Sequence, residues 1–120
     1  MVHNNTVVLA GGTELTAFDN IRELENAGYM VVTALNLDYA LAANELFEPN
    51  VIVLDIDQMS GDIKAFLRSL FDKPRYPFIY LLSVGKRKKY NKLLLTNQSE
   101  YLKKPLSATE LTARINSMIT

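Results

Sequence analysis

Short, mostly apolar runs alternate with segments of helical periodicity five times along this 120-residue chain. The runs are too short for buried helices, and the first three are rich in β-branched residues, which is typical of strands covered on both faces. The predicted strands are Thr6–Leu9, Tyr29–Leu35, Val51–Leu54, Phe78–Leu82 and Tyr101–Lys103. Single helices between such strands require parallel pairing through right-handed crossovers. Because five units are too few for an eight-stranded barrel, the pattern predicts an open, doubly wound α/β sheet.

The predicted helices are marked by their apolar spacing and by recognisable ends. In the first, Leu15, Phe18, Ile21 and Leu24 recur every three residues, and Gly28 follows as a helix stop. The others are a helix capped by Asp38 and ending at Phe47, one capped by Asp62, a strongly basic one over residues 86–95, and one opened by the capping box Ser107–Glu110.

The residue types that are missing narrow the class of protein. The chain has no cysteine and a single histidine, His3, which excludes a disulfide framework and any site built from several Cys or His ligands. No apolar run approaches the roughly 20 residues that span a bilayer, and the first residues do not have the pattern of a signal peptide. We therefore expect residues 1–120 to form a single cytoplasmic domain that does not contact a membrane.

Charge is divided unevenly between the two halves of the chain. Residues 1–62 contain ten acids and one base, whereas residues 63–120 contain twelve bases and three acids. The formal net charge is zero, which argues against general nucleic-acid binding. Three interpretations remain open: the halves form separate acidic and basic surfaces, the first half builds an acidic site, or the halves meet and neutralise each other.

A glycine pair and several polar residues follow the predicted strands. They are the pair Gly11–Gly12 after the first, Asp55 and Asp57 after the third, Ser83 after the fourth and Lys104 after the fifth. In an open parallel sheet the functional site lies at the carboxyl ends of the strands. The topology alone therefore brings a carboxylate, a hydroxyl and an amine to one edge.

This constellation resembles the response-regulator receiver domain, the CheY-like phosphoacceptor module of two-component phosphorelay signalling. The resemblance covers Thr6 to Ile119 and rests on five features: Asp55 closing the third strand, Gly61 after it, Ser83 closing the fourth strand, Tyr101 on the fifth, and the dipeptide Lys104–Pro105. The resemblance implies a flavodoxin-like sheet of five parallel strands in the order 2-1-3-4-5, with five helices. It also implies a signalling domain of a response regulator, which is not an enzyme.

The resemblance also implies a role for each pocket residue. Asp55 corresponds to the phosphoacceptor, Ser83 and Lys104 to residues that contact the phosphoryl group, and Tyr101 to an aromatic switch. The peptide bond before Pro105 is expected to be cis. We further expect the Lys104 ammonium to pair directly, or through a water molecule, with Asp55.

The chain departs from the family at the end of the first strand. There the family carries an acidic pair that holds Mg²⁺, whereas this sequence has Gly11 and Gly12. Mg²⁺ needs oxygen ligands and usually takes one or two carboxylates. Weak metal contacts could come from Asp57 or Glu14, although a solvated loop acid and a helix N-terminal acid are the simpler interpretations. The sequence therefore predicts a degenerate pseudo-receiver, with no bound cofactor and poor binding of Mg²⁺.

A basic surface is predicted on the fourth helix, fifth strand and fifth helix. Its residues are Lys86, Arg87, Lys88, Lys89, Tyr101 and Arg114. In the family this face docks partners, so we expect it to bind a protein, a histidine kinase or a second copy of the chain. The simpler interpretation is a solvated helix face. No direct contact with nucleic acid is predicted.

A different class of function uses the Gly11–Gly12 turn. A glycine turn between a strand and a helix can hold a phosphate group at the helix N-terminus. The alternative is therefore a small-molecule or nucleotide-binding domain on the same fold. The turn matches neither the dinucleotide-binding motif nor a Walker loop.

Overall fold

The computed structural model describes residues 5–119, in which five parallel strands form one sheet. Across the sheet the strands lie in the order β2-β1-β3-β4-β5. Their bounds are β1 Thr6–Ala10, β2 Met30–Ala34, β3 Val51–Asp55, β4 Phe78–Ser83 and β5 Ser99–Lys103. The predicted doubly wound sheet and the strand order implied by the resemblance are both confirmed.

Within residues 5–119, five α-helices and one short 3₁₀ turn connect the strands. The helices are α1 Phe18–Asn26, α2 Leu37–Phe47, α3 Ile63–Phe71, α4 Arg87–Thr96 and α5 Ala108–Ile119, and the 3₁₀ turn spans Ile56–Gln58. One apolar layer joins α2, α3 and α4 to the sheet, and a second joins α1 and α5 to its opposite face. The sheet is thus covered on both sides, which explains why its central strands β1, β3 and β4 are almost entirely apolar in sequence.

Side chains along the central strands point alternately to the two faces of the sheet, and this alternation fixes the register of the strands. Val8 and Ile52 face the layer of α2, α3 and α4, whereas Leu9 and Val53 face the layer of α1 and α5. A slip of one residue would exchange the two layers, and a fully buried side chain of this kind contributes about 1.5–3 kcal/mol. The register therefore determines which residues reach the carboxyl edge.

The first helix begins later than its apolar spacing predicts. Ala17 has an extended backbone (φ −60°, ψ 150°), so α1 starts at Phe18. The side-chain amide of Asn20 donates to the carbonyl of Leu15 at 2.8 Å and satisfies it without a helical turn. Leu15 is still buried, but Phe18 is 71% exposed and lies beside the Arg22 guanidinium instead of in the core.

The N-cap of the second helix is also different from the prediction. Asn36, not Asp38, accepts a hydrogen bond from the backbone N–H of Tyr39, at 2.9 Å. The helix accordingly begins at Leu37, and Asp38 lies in its first turn. A carboxylate there is still favoured by the helix dipole.

The caps of α3 and α5 and the glycine stop after α1 agree with the sequence prediction, whereas α4 lies one residue later than the predicted range 86–95. Asp62 accepts from the backbone N–H of Ala65 at 3.0 Å, and Ser107 and Glu110 each accept from the other's backbone N–H, at 3.1 and 3.2 Å. Gly28 ends the first helix with φ of 96°, a conformation that favours glycine.

No helix within residues 5–119 combines the length and the apolar character needed to cross a bilayer. The longest of these helices, α5, has 12 residues. His3, the single histidine, lies outside the described residues.

Candidate functional site

A buried ion pair joins the ends of β3 and β5. Asp55 is the last residue of β3 and is 1% exposed, while Lys104 directly follows β5 and is 8% exposed. The Lys104 Nζ atom lies 2.9 Å from Oδ1 and 3.0 Å from Oδ2 of Asp55. The direct pair that the sequence predicts is therefore present.

The backbone around Lys104 fixes the direction of its side chain. Its N–H donates to the carbonyl of Ser83 at 2.9 Å, which extends the β4–β5 ladder by one residue. The Lys104–Pro105 peptide bond is cis, as the resemblance implies. Burial acts to lower the pKa of Lys104, but the hydrogen bonds to Asp55 and the charge of that carboxylate outweigh burial and raise it. The side chain is consequently a fixed cation at neutral pH.

Asp57 lies beside this ion pair, in the pocket that Asp55, Asp57, Ser83 and Lys104 form at the carboxyl edge of the sheet. It is not a solvated loop acid. The 3₁₀ turn after β3 directs its side chain to the carboxyl edge, where only 19% of the side chain is exposed. Its Oδ1 accepts from the Ser83 hydroxyl at 3.0 Å, and its Oδ2 accepts from the Val84 N–H at 2.9 Å. The same Oδ2 lies 3.3 Å from Nζ of Lys104.

These contacts keep Asp57 ionised. Burial acts to raise the pKa of Asp57, but hydrogen bonds from Val84, Ser83 and Lys104 outweigh burial and hold it below its usual value. Because the folded pKa lies below the unfolded one, Asp57 stabilises the fold above the ordinary carboxyl pKa. That contribution is lost as the pH falls through the folded pKa.

Ser83 is fully buried, and its hydroxyl donates to Asp57. The same oxygen accepts from the backbone N–H groups of Gly85 at 3.3 Å and Lys86 at 3.2 Å. Ser83 therefore organises the first residues of the loop between β4 and α4.

Tyr101 connects β5 to Ser83 at the end of β4. Its hydroxyl donates to the carbonyl of Ser83 at 2.9 Å, and its half-buried ring packs against the core layer of α2, α3 and α4. The Ser83 carbonyl thus accepts from both Tyr101 and the backbone of Lys104. The four pocket residues that the resemblance implies, and Asp57 with them, lie at one edge.

The residues at the end of β1 do not fit Mg²⁺. A Cβ atom at Gly11 would lie 2.9 Å from Cβ of Asp55, and one at Gly12 would lie 2.7 Å from Oε1 of Gln58. Both Asp55 oxygens already bind Lys104. Within residues 5–119 no three acidic or histidine side chains are arranged as a metal site. Restoring an acidic pair here would also require Asp55 or its neighbours to shift.

Glu14 lies at the outer edge of the pocket. Its carboxylate is 3.9 Å from Nζ of Lys104, and its side chain is 64% exposed. The enclosed space between Glu14, Asn20, Asp55 and Lys104 measures about 30 Å³, which holds a water molecule or two. A nucleotide does not fit in this space.

A basic groove of about 890 Å³ opens beside the pocket. It is lined by the loop after β4, the start of α4 and the outer side of β5: Val84, Gly85, Lys86, Arg87, Lys88, Lys89, Tyr101 and Lys103. Arg114 does not line this groove. It pairs with Glu100 at 2.9 Å and borders a smaller cavity toward α5.

Sequence reasoning missed the role of Asp57 and of Lys86. The Lys86 ammonium lies 3.4 Å from Oδ1 of Asp57, so both ends of this contact belong to the pocket. The available signal was the spacing of the two acids, Asp55 and Asp57. An acid two residues after Asp55 is directed back toward the sheet when the residue between them starts a tight turn. Only the 3₁₀ geometry decides that direction.

Two curated proteins are similar to the chain in sequence. It is 32% identical over 124 residues to hybrid signal transduction histidine kinase D of Dictyostelium discoideum, covering 99% of this chain and 8% of that protein. It is 33% identical over 96 residues to the probable transcriptional regulator ycf27 of Cyanophora paradoxa, covering 80% of this chain and 40% of that protein. The chain thus spans less than half the length of either relative. No family model matches the chain.

Solved structures of receiver domains are similar in fold. The response regulator signal receiver domain from Bermanella marisrubri has a TM-score of 0.80 at 24% identity, covering 98% of this chain and 100% of that one. The Francisella response regulator 1452 receiver domain has a TM-score of 0.79 at 24% identity, covering 96% of each chain. The chain therefore has the fold of the response-regulator receiver domains, and its pocket residues occur in the order that the resemblance implies.

Proposed function

We propose that residues 1–120 form one receiver domain that signals through protein–protein contacts and turns over no substrate of its own. The observation that carries this proposal is a continuous path of contacts from the buried Asp55–Lys104 pair to the basic groove. A cytoplasmic location is part of the same proposal.

The path from pocket to groove consists of short polar contacts. Lys104 contacts Asp57, which accepts from the Ser83 hydroxyl and the Val84 N–H. Ser83 in turn accepts from the N–H of Lys86, whose side chain lines the groove. A change in the pocket would therefore move the residues that a partner meets.

We propose further that the chain is a pseudo-receiver, in which phosphorylation is not the routine input. Asp55 is the candidate phosphoacceptor because it ends β3 at the carboxyl edge. Both of its oxygens accept from Lys104, and Oδ1 also accepts from the N–H of Asp57 at 3.2 Å. Gly11 and Gly12 supply no carboxylate to hold a metal ion. The pocket is therefore balanced by its own charges without a metal ion or a phosphoryl group.

The groove indicates the chemistry of the partner. Lys86, Arg87, Lys88 and Lys89 are exposed and concentrate positive charge, while Tyr101 offers an aromatic edge. An acidic protein surface carrying an apolar side chain would complement this groove. Candidates are a histidine kinase and the acidic half of a second copy of the chain. The zero net charge again argues against nucleic acid.

We expect binding at this groove to weaken as salt is added, because exposed charges are screened beyond about 8 Å at physiological ionic strength. The double substitution Lys88→Glu, Lys89→Glu should weaken binding at least about tenfold, since it reverses two charges of a steering patch. Sedimentation velocity measures self-association, and surface plasmon resonance measures binding of a histidine-kinase phosphotransfer domain.

The matched control reverses two exposed bases away from the groove, Arg68→Glu with Arg75→Glu. It changes the net charge equally and should leave binding close to that of the wild type. Equal affinity at about 50 mM and about 500 mM salt would contradict the proposal, because screening lengths differ severalfold between them. Normal binding by the Lys88→Glu, Lys89→Glu variant would contradict it as well.

The alternative of a nucleotide or small-molecule site at the Gly11–Gly12 turn has no observation in its favour. The side chain of Gln58 covers Gly12, and the enclosed space near Asp55 is about 30 Å³. The turn is also separated from α1, which begins only at Phe18. A helix N-terminus is therefore not directed at this turn.

A further inference from the structure

Two hydrogen-bond donors and two ammonium groups converge on the carboxylate of Asp57. They are the Ser83 hydroxyl at 3.0 Å, the Val84 N–H at 2.9 Å, and the ammonium groups of Lys104 at 3.3 Å and Lys86 at 3.4 Å. Two cations, a hydroxyl and a backbone amide form a donor set that suits an oxyanion of any kind. Asp57 is thus bound as a ligand would be, by groups from two different segments: residues 83–86 after β4 and Lys104 after β5.

The donors of Asp57 coincide with those that a phosphoryl group would use. The resemblance assigns Ser83 and Lys104 to contact with a phosphoryl group on Asp55, and both of these residues contact Asp57 here. Lys104 touches both carboxylates at once, so the two acids already share one ammonium. A further anion in this space would meet the charge of Asp57 at close range, which is strongly unfavourable in a partly buried site.

We propose that Asp57 is the resident anion of the receiver pocket, occupying the oxyanion site of Ser83, Val84 and Lys104 in place of a phosphoryl group. The inference rests on the proposed function and specifies its regulation. The site would take a small tetrahedral oxyanion such as phosphate once the Asp57 carboxylate is removed.

The resident anion also holds the loop that leads to the basic groove. Val84 is anchored directly by its N–H, while Gly85 and Lys86 are anchored through the Ser83 hydroxyl, which donates to Asp57. The loop therefore keeps one conformation without any covalent modification. A receiver built in this way presents its docking surface constitutively.

The test compares the wild type with Asp57→Ala by NMR spectroscopy of the free protein, with inorganic phosphate as the probe. In Asp57→Ala we expect amide exchange of Val84 to be at least about tenfold faster, because its hydrogen-bond acceptor is gone. Phosphate at millimolar concentration should then bind saturably, shift the amides of Val84, Gly85 and Lys86, and slow the exchange again. The wild type should show no saturable change with phosphate, and chloride at matched ionic strength should change neither protein.

Asp57→Asn and Asp62→Ala complete the set. Asp57→Asn retains an oxygen acceptor without the charge, so it should bind phosphate more weakly than Asp57→Ala and still more tightly than the wild type. Asp62→Ala removes an exposed acid that caps α3 outside the pocket and should leave Val84 unchanged. Lys104 keeps its partner Asp55 in both Asp57 variants, and Asp57→Asn provides the readout if Asp57→Ala fails to fold.

Unchanged exchange at Val84 in Asp57→Ala, or the absence of saturable phosphate binding to both Asp57 variants, would overturn the proposal. Saturable phosphate binding to the wild type at the same amides would overturn it too, because the site would then be free. These measurements involve no partner. Failure of the proposed docking function would appear instead in the salt and charge-reversal experiments.

Discussion

Lys104→Ala is expected to lower the free energy of unfolding by about 3–5 kcal/mol, the cost of breaking a buried ion pair by removing one partner. Asp55 is 1% exposed and would remain in the pocket without its cation. Asp57 would lose a neighbouring positive charge at the same time. The loss should therefore exceed the effect of an exposed lysine, which is typically within about 0.5 kcal/mol.

Urea denaturation at neutral pH measures this change in stability. Lys103→Ala is the matched control, because Lys103 is the exposed neighbour of Lys104 on the same strand end. Combining Asp55→Asn with Lys104→Met should recover much of the loss, since a neutral pair of similar size avoids the uncompensated charge of Asp55. Asp57 then keeps Lys86 and its hydrogen bonds from Ser83 and Val84. A Lys104→Ala variant as stable as the wild type would show that the pair does not hold the pocket together.

Leu67→Ala is expected to destabilise the fold by about 2–5 kcal/mol, the range for a fully buried leucine replaced by alanine. Leu67 has no exposed surface and lies in the apolar layer between α3 and the sheet. The helix that carries it follows the loop from Asp55 to Gly61, and the substitution tests how much the packing of α3 against the sheet contributes to stability.

The control for Leu67 is the same substitution at an exposed leucine. Leu46 lies on α2 and is 76% exposed, so Leu46→Ala should change stability by less than about 0.5 kcal/mol. Both variants can be measured by the same urea titration. Equal effects at the two positions would contradict the assignment of the layer of α2, α3 and α4 as a packed core.

The positions of Asp55, Ser83 and Lys104 could be predicted from the sequence because they depend on topology. Each follows a predicted strand, and parallel strands bring their carboxyl ends to one edge. The side-chain spacing of the sheet then fixes the register through the two apolar layers. The pairing of Asp55 with Lys104 follows from burial, because a lone carboxylate there would be unfavourable.

The contacts of Asp57 could not be predicted, because they depend on local backbone geometry. A carboxylate in a loop is normally solvated, and only the 3₁₀ turn at Ile56–Gln58 directs this one inward. The same limit explains the first helix and the cap of the second. The side chains of Asn20 and Asn36 form hydrogen bonds with nearby backbone groups. The spacing of apolar residues does not predict which backbone group such a side chain binds.

The absence of the acidic pair and the inward position of Asp57 both affect the charge balance of the same pocket. Gly11 and Gly12 bring the backbone of β1 close to Asp55 and Gln58 and add no charge. Lys104 is left as the cation for Asp55 and Asp57 together, with Lys86 at the rim. The charges in the pocket are therefore compensated from within the chain.

The most direct test of this account is the intact mass of the chain after incubation with a small-molecule phosphodonor, such as acetyl phosphate, and millimolar Mg²⁺. The expected result is an unmodified mass. Asp55 is hydrogen-bonded to Lys104, Asp57 occupies the oxyanion site, and Gly11 and Gly12 supply no acidic pair to hold the metal ion. A mass gain of one phosphoryl group in most molecules, abolished by Asp55→Asn, would contradict this account.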